Sequence, residues 1–75
     1  MMPLGLLGEG ETGEIVGFRG RTGAASDLRA EDMGLRAGNR VEVLRNGTGP
    51  LLVKVEESRI AVDRTIAMRI GVRRS

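Results

Sequence analysis

From residue 40 onward the chain reads as a succession of short alternations. "RVEVLR" sets Val41 and Val43 against Arg40 and Glu42, and "LLVKV" sets Leu51, Val53 and Val55 against Lys54. "SRIAV" alternates at Ile60 and Val62, and "MRIGVRR" sets Met68, Ile70 and Val72 against Arg69 and Arg73. A period of two is the mark of a strand with one buried and one wetted face. An earlier run, "TGEIVGF" over residues 12–18, is also rich in β-formers, and its Gly17 predicts a bulge or a close backbone approach.

The breaks between these runs are turn chemistry. The 12 glycines are scattered among valines, leucines and isoleucines, so they punctuate strands and do not form a linker. Asn46-Gly47 inside "NGTGP" is a hairpin signal. Ser26 is placed to cap a short helix running to about Met33, with Asp27 suited to its dipole. Asp63 is placed to open a single helical turn in "DRTIA". Five short strands with tight turns and one helix predict a mainly all-β chain, a small barrel or rolled sheet whose closure would remove vulnerable edges. No repeat or internal boundary is present, so residues 1–75 are expected to form one domain.

A chain of 75 residues buries a marginal core unless something supports it. It has no cysteine and no histidine, which removes disulfides, thiolate metal sites, imidazole ligands and the commonest general base. Association with a copy of itself or another protein is the remaining support, so a homo-oligomer is expected. The net charge is only +2 although the sequence pI is about 10.4, because nothing titrates between the carboxylates and the strongest bases. The field offered to a partner at neutral pH is therefore modest. Glu9, Glu11 and Glu14 make the start acidic, and Arg69, Arg73 and Arg74 make the end basic.

No run approaches the roughly 18 apolar residues of a membrane span. The start, "MMPLGLLGEGE", lacks the basic region of a signal peptide. The expected location is cytoplasmic, with no direct membrane insertion and any approach to a membrane made through a partner.

Five kinds of site can be weighed on the residues. In "DMGLRAGNR", Gly34 and Gly38 follow a helix C-terminus, whereas a phosphate loop needs a helix N-terminus and a "GK[ST]" that this chain lacks. They are read as structural: Gly34 in the left-handed position after the helix, Leu35 dropping into the core, and Gly38 turning the chain into the next strand. For a metal, Glu9, Glu11 and Glu14 are the candidate carboxylate ligands, although acidic residues near a terminus are ordinarily just solvated, and no cofactor is expected. For nucleic acid, an RNA-binding small barrel would stack bases on aromatics, and this chain has one, Phe18, assigned to the core. For catalysis, Ser26 and Ser58 have no histidine to activate them. Exposed arginines beside the turns, Arg36, Arg45 and Arg64, are the candidate partner-binding residues.

The residues also form an ordered series. Leu4 and Leu7 lead to Gly10-Glu11. Leu28 precedes "MGLRAG" (residues 33–38), which is followed by the "VEVL" strand and Gly49-Pro50. "RIAV", Arg64, Ala67 and "IGV" close the series. In this order and spacing, over nearly the whole chain, the sequence resembles the ferrous-iron transport protein A (FeoA) family; Val62 stands where the family pattern leads one to expect leucine. The resemblance implies an SH3-like barrel and a non-enzymatic cytosolic accessory of bacterial ferrous-iron uptake. Its implied partner is the cytosolic part of the membrane Fe(II) transporter FeoB. The alternatives are a small basic RNA-binding barrel and a regulatory domain related to the C-terminal domain of iron-dependent repressors.

Overall fold

The computed structural model describes residues 1–18 and 32–74. Its strands are β1 (Met2–Pro3), β2 (Thr12–Phe18), β3 (Arg40–Arg45), β4 (Leu51–Val55), β5 (Ser58–Val62) and β6 (Ile70–Arg74). A 3-10 turn covers Leu4–Leu6, and one α-helical turn, α1, covers Arg64–Ala67. The strands form a single antiparallel sheet in the order β1-β6-β2-β3-β4-β5. This is the small all-β, SH3-like architecture.

The period-two pattern decides which face is buried. Val41 and Val43 on β3, Leu51, Val53 and Val55 on β4, and Ile70 and Val72 on β6 are all buried. Leu4 and Leu7, on either side of the end of the 3-10 turn, fill one end of this core, and Leu35 enters it from the corner before β3. Each such side chain contributes about 1.5–3 kcal/mol relative to an exposed position. Phe18 is only partly buried and packs against the cluster from its margin. Asp63 caps α1, its Oδ1 accepting from the Thr65 amide at 2.8 Å, so the helical turn begins at the expected residue. In β2, the pairing with β6 shifts register between Ile15 and Gly17, a bulge at the glycine.

Several expectations are corrected. Met68 is not an inward strand residue: it caps α1 in the right-handed helical region and is 43% exposed, because the strand starts only at Ile70. Among the described residues the sheet does not close edge to edge; β1 and β5 each have one neighbour. The reversal between β3 and β4 is a longer turn over residues 46–50, with the positive φ at Gly49 and not at Gly47. A tight two-residue hairpin occurs instead at Glu56-Glu57, between the paired Val55 and Ser58. The helix expected from Ser26, with Asp27 and Leu28, lies outside the described residues.

The acidic start and basic end become neighbours. Pairing of β2 with β6 sets Glu14 opposite Arg73, and pairing with β3 sets the same Glu14 opposite Arg40. Arg74 Nε lies 3.4 Å from Glu11 Oε2, and Arg73 Nη1 lies 3.9 Å from Glu14 Oε1. The charge asymmetry along the chain is thus largely cancelled across the sheet.

Candidate protein-contact site

The two ends of β3 carry two different constructions. At its start lies the corner formed by residues 34–39. Gly34 has φ 104° and Gly38 φ 98°, backbone that L side chains rarely adopt. A Cβ on Gly34 would also stand 2.8 Å from Glu56 Oε1. The Gly34 carbonyl accepts from the Arg36 amide at 2.8 Å and from Asn39 Nδ2 at 2.7 Å. Gly38 donates to Ile15 O at 2.7 Å, and Ile15 donates to Asn39 O at 2.9 Å, which ties the corner to β2. Glu56 Oε2 accepts from Arg36 Nη2 at 2.9 Å and from Asn39 Nδ2 at 3.1 Å. The corner is therefore a clasp between the entry to β3 and the β4–β5 hairpin.

At the other end of β3 lie Arg45, the turn over residues 46–50, the 3-10 turn and α1. Asn46 organises this end. Its Nδ2 donates to Leu7 O at 2.7 Å and to Gly5 O at 3.1 Å, and its amide donates to Glu9 Oε2 at 3.0 Å. Arg64 Nη2 donates to Asn46 Oδ1 at 2.7 Å and also to the Gly47 carbonyl. Met68 lies over Gly5, close enough that a Cβ there would meet its sulfur at 2.7 Å. Leu6 beside it is 59% exposed. Two apolar side chains thus face solvent on an end that a polar network holds rigid. An open hollow of about 270 Å³ lies nearby, lined by Gly49, Pro50, Asp63 and Arg64.

The residues singled out in the sequence are consequently separated. Arg45 and Arg64 share one end, and Arg36 sits at the other. Arg64 is half-buried and holds the turn together, whereas Arg45 is exposed at the end of β3. Glu9, Glu11 and Glu14 do not converge: they engage Asn46, the Gly8 amide with Arg74, and Arg73 respectively. Among the described residues no three acidic, histidine or cysteine side chains gather where they could hold a metal ion. No helix among the described residues is long and apolar enough to cross a membrane. Sequence reasoning missed Asn46, Glu56, Leu6 and Met68. In the sequence Asn46 signals only a turn, and the exposure of Leu6 and Met68 depends on where the 3-10 turn and α1 stop.

The fold and this rigid, partly apolar end define a small SH3-like β module. Residues 2–74 match the FeoA domain, and the chain belongs to the FeoA family, a family of ferrous-iron transport. It is 35% identical over 72 residues to an Fe(2+) transport protein A of Methanocaldococcus jannaschii, covering 96% of this chain and 85% of that one. A crystal structure of an iron uptake regulatory protein (FeoA) superposes with TM-score 0.87 at 31% identity, over 97% of this chain and 96% of the other. FeoA of Stenotrophomonas maltophilia, described as a procaryotic SH3 domain protein and crystallised with zinc, gives 0.84 at 25%, over 96% and 89%. The fold alone recurs in a manganese-dependent transcriptional repressor, at 17% identity and TM-score 0.84, where this chain covers 97% of its own length and 41% of the repressor.

Proposed function

We propose that this chain is a non-enzymatic cytoplasmic accessory of ferrous-iron uptake that acts by protein contact with the membrane Fe(II) transporter FeoB. The observation that carries the reading is the end of the sheet where Leu6 and Met68 face solvent beside Arg45, on a backbone tied down by Asn46 and Arg64. Apolar side chains on a rigid platform, rimmed by charge, suit a protein partner. Membership of the FeoA family supplies the biological setting. Residues 1–75 act in this reading as one domain.

A pull-down with the cytosolic part of the transporter tests it. Leu6→Asp with Arg45→Glu is expected to abolish capture while leaving the thermal midpoint nearly unchanged. Arg36→Glu, at the opposite end of β3, tests whether the corner contributes and is expected to weaken capture less. Capture undiminished by Leu6→Asp with Arg45→Glu would overturn the assignment of this end. Arg64 is unsuitable for such a test, since its loss would disturb the turn that it holds.

A further inference from the structure

The outward face of the sheet carries a row of side chains that runs Thr12, Glu42, Lys54, Arg59 across β2, β3, β4 and β5. Its last two members are cations directly opposite one another, an unfavourable cross-strand pair. Arg59 stands on β5, which among the described residues has β4 as its one neighbour. The row thus ends in excess positive charge at an open edge.

The backbone of that edge can be worked out from the hairpin. Val55 and Ser58 flank a two-residue turn, so they form the closing hydrogen-bonded pair of an antiparallel ladder. Hydrogen-bonded pairs then alternate, placing Val53–Ile60 and Leu51–Val62 in the same class. Arg59 and Ala61 therefore direct their N–H and C=O groups away from β4, toward an added strand. Side chains alternate in step: Arg59 and Ala61 share the exposed outer face of β5, Ile60 and Val62 face inward, and the exposed Asp63 follows directly after the strand as the cap of α1.

Arg59, Ala61 and Asp63 are complementary to themselves reversed. If a second β5 pairs antiparallel about a two-fold axis at Ala61, Ala61 meets Ala61 and each Arg59 falls opposite an Asp63. Ile60 then falls opposite Val62 on the inner face. The smallest side chain of the face lies at the axis, where two copies meet, and the like-charge pair Lys54–Arg59, already flanked by Glu42, gains an acidic neighbour on its open side. Asp63 also lines the open hollow with Gly49, Pro50 and Arg64, and since only its Oδ1 caps α1, the other carboxylate oxygen is left for an incoming guanidinium. We infer that β5 is a self-association edge, and that two copies of this chain join β5 to β5 through reciprocal Arg59–Asp63 pairs. The inference rests on β5 and not on the transporter-contact reading, although Asp63 and its hollow lie at the same end of the sheet as Leu6 and Met68.

A five-residue strand buries less than the roughly 1,200 Å² of a standard interface, so the dimer is expected to be weak, concentration-dependent and loosened by salt. Sedimentation of the full chain at rising concentration and low salt is the measurement. Arg59→Glu sets glutamate against Asp63, and Asp63→Arg sets arginine against Arg59. Each variant alone is expected to lose self-association at least tenfold, whereas an equimolar mixture restores a dimer, because every facing pair becomes opposite in sign. Asp63→Asn keeps a capping side chain and should weaken the dimer in the same direction if Asp63→Arg fails to fold. Ala61→Pro removes an outward N–H without removing a β4 bond and is expected to give a monomer. A wild-type chain that stays monomeric near millimolar concentration would overturn the proposal. So would a dimer indifferent to Arg59→Glu and Ala61→Pro, or a mixture that fails to associate when both charge variants are folded.

Discussion

Arg64 at the start of α1 reaches across to the turn after β3 and donates to Asn46 Oδ1 at 2.7 Å, while Asn46 turns its own amide nitrogen toward the Gly5 and Leu7 carbonyls. One side chain thereby links three segments that are remote in sequence: the 3-10 turn, the β3–β4 turn and α1. An asparagine suits this position because one end of its amide accepts and the other donates twice.

Removing that link leaves partly buried carbonyls without donors. Asn46→Ala is expected to cost about 2 kcal/mol, roughly 10 °C in Tm for a domain of this size. Asn46→Asp should also destabilise, because it sets an acceptor against two carbonyl oxygens, although it strengthens the attraction to Arg64. Thermal unfolding of the two variants checks both. A fall of under about 3 °C for Asn46→Ala would show that the network is incidental.

Gly34 offers a second test, since its φ of 104° and its contact with Glu56 act together. A Cβ at this position brings backbone strain and pushes on Glu56 Oε1, the carboxylate that Arg36 and Asn39 hold by its other oxygen. Gly34→Val is expected to lower stability by about 2 kcal/mol or more. Glu56→Ala gives up the Arg36 and Asn39 contacts but also removes the collision, so in that background Gly34→Val should cost less than it does in the wild-type chain. Denaturant midpoints of both single variants and the double variant measure the split. An equal cost of Gly34→Val in the two backgrounds would assign the whole effect to the backbone.

Much of this fold is legible in the sequence because burial on one face writes itself as a period of two. Val41, Val43, Leu51, Val53 and Val55 are buried in the positions that the alternation marks. The pattern misleads at Met68, where helical and strand periods meet over too few residues to tell where α1 ends. Glu56-Glu57 carried no turn signal, since Gly or Asn is the usual choice for left-handed backbone. Tertiary contacts decide that hairpin: Glu56 is retained by Arg36 and Asn39 from a corner 17–20 residues away. The separation of Arg36 from Arg45 and Arg64 is likewise a matter of register across strands, which adjacency to turns does not reveal.

That hairpin yields its own prediction. Glu56 and Glu57 have φ of 52° and 66°, a conformation that suits glycine. Only Glu56 gains an ion pair and a hydrogen bond among the described residues. Glu57→Gly is therefore expected to stabilise the chain by about 0.5–1 kcal/mol, raising Tm by several degrees. Glu56→Gly relieves the same strain but gives up the Arg36 and Asn39 contacts, so it should be neutral or destabilising. Equal gains from the two substitutions would mean that the clasp at Glu56 contributes nothing.

Glu14 lies between Arg73 on one neighbouring strand and Arg40 on the other. The pairs are exposed and Arg73 is at 3.9 Å, so each is worth no more than about 1 kcal/mol, and Glu14→Gln should change stability by about 0.5 kcal/mol or less. Reversal is a different matter, because Glu14→Arg would place three cations in one row across β6, β2 and β3, where like charges directly opposite one another repel. A loss of about 1 kcal/mol is expected at low ionic strength, shrinking at 1 M salt as the Debye length contracts to about 3 Å. Urea midpoints at both ionic strengths give the difference directly. A loss that salt leaves unchanged would point to packing of the Glu14 stem on the sheet and not to charge, and the balance of acidic start against basic end would then be a result of the fold without energetic weight.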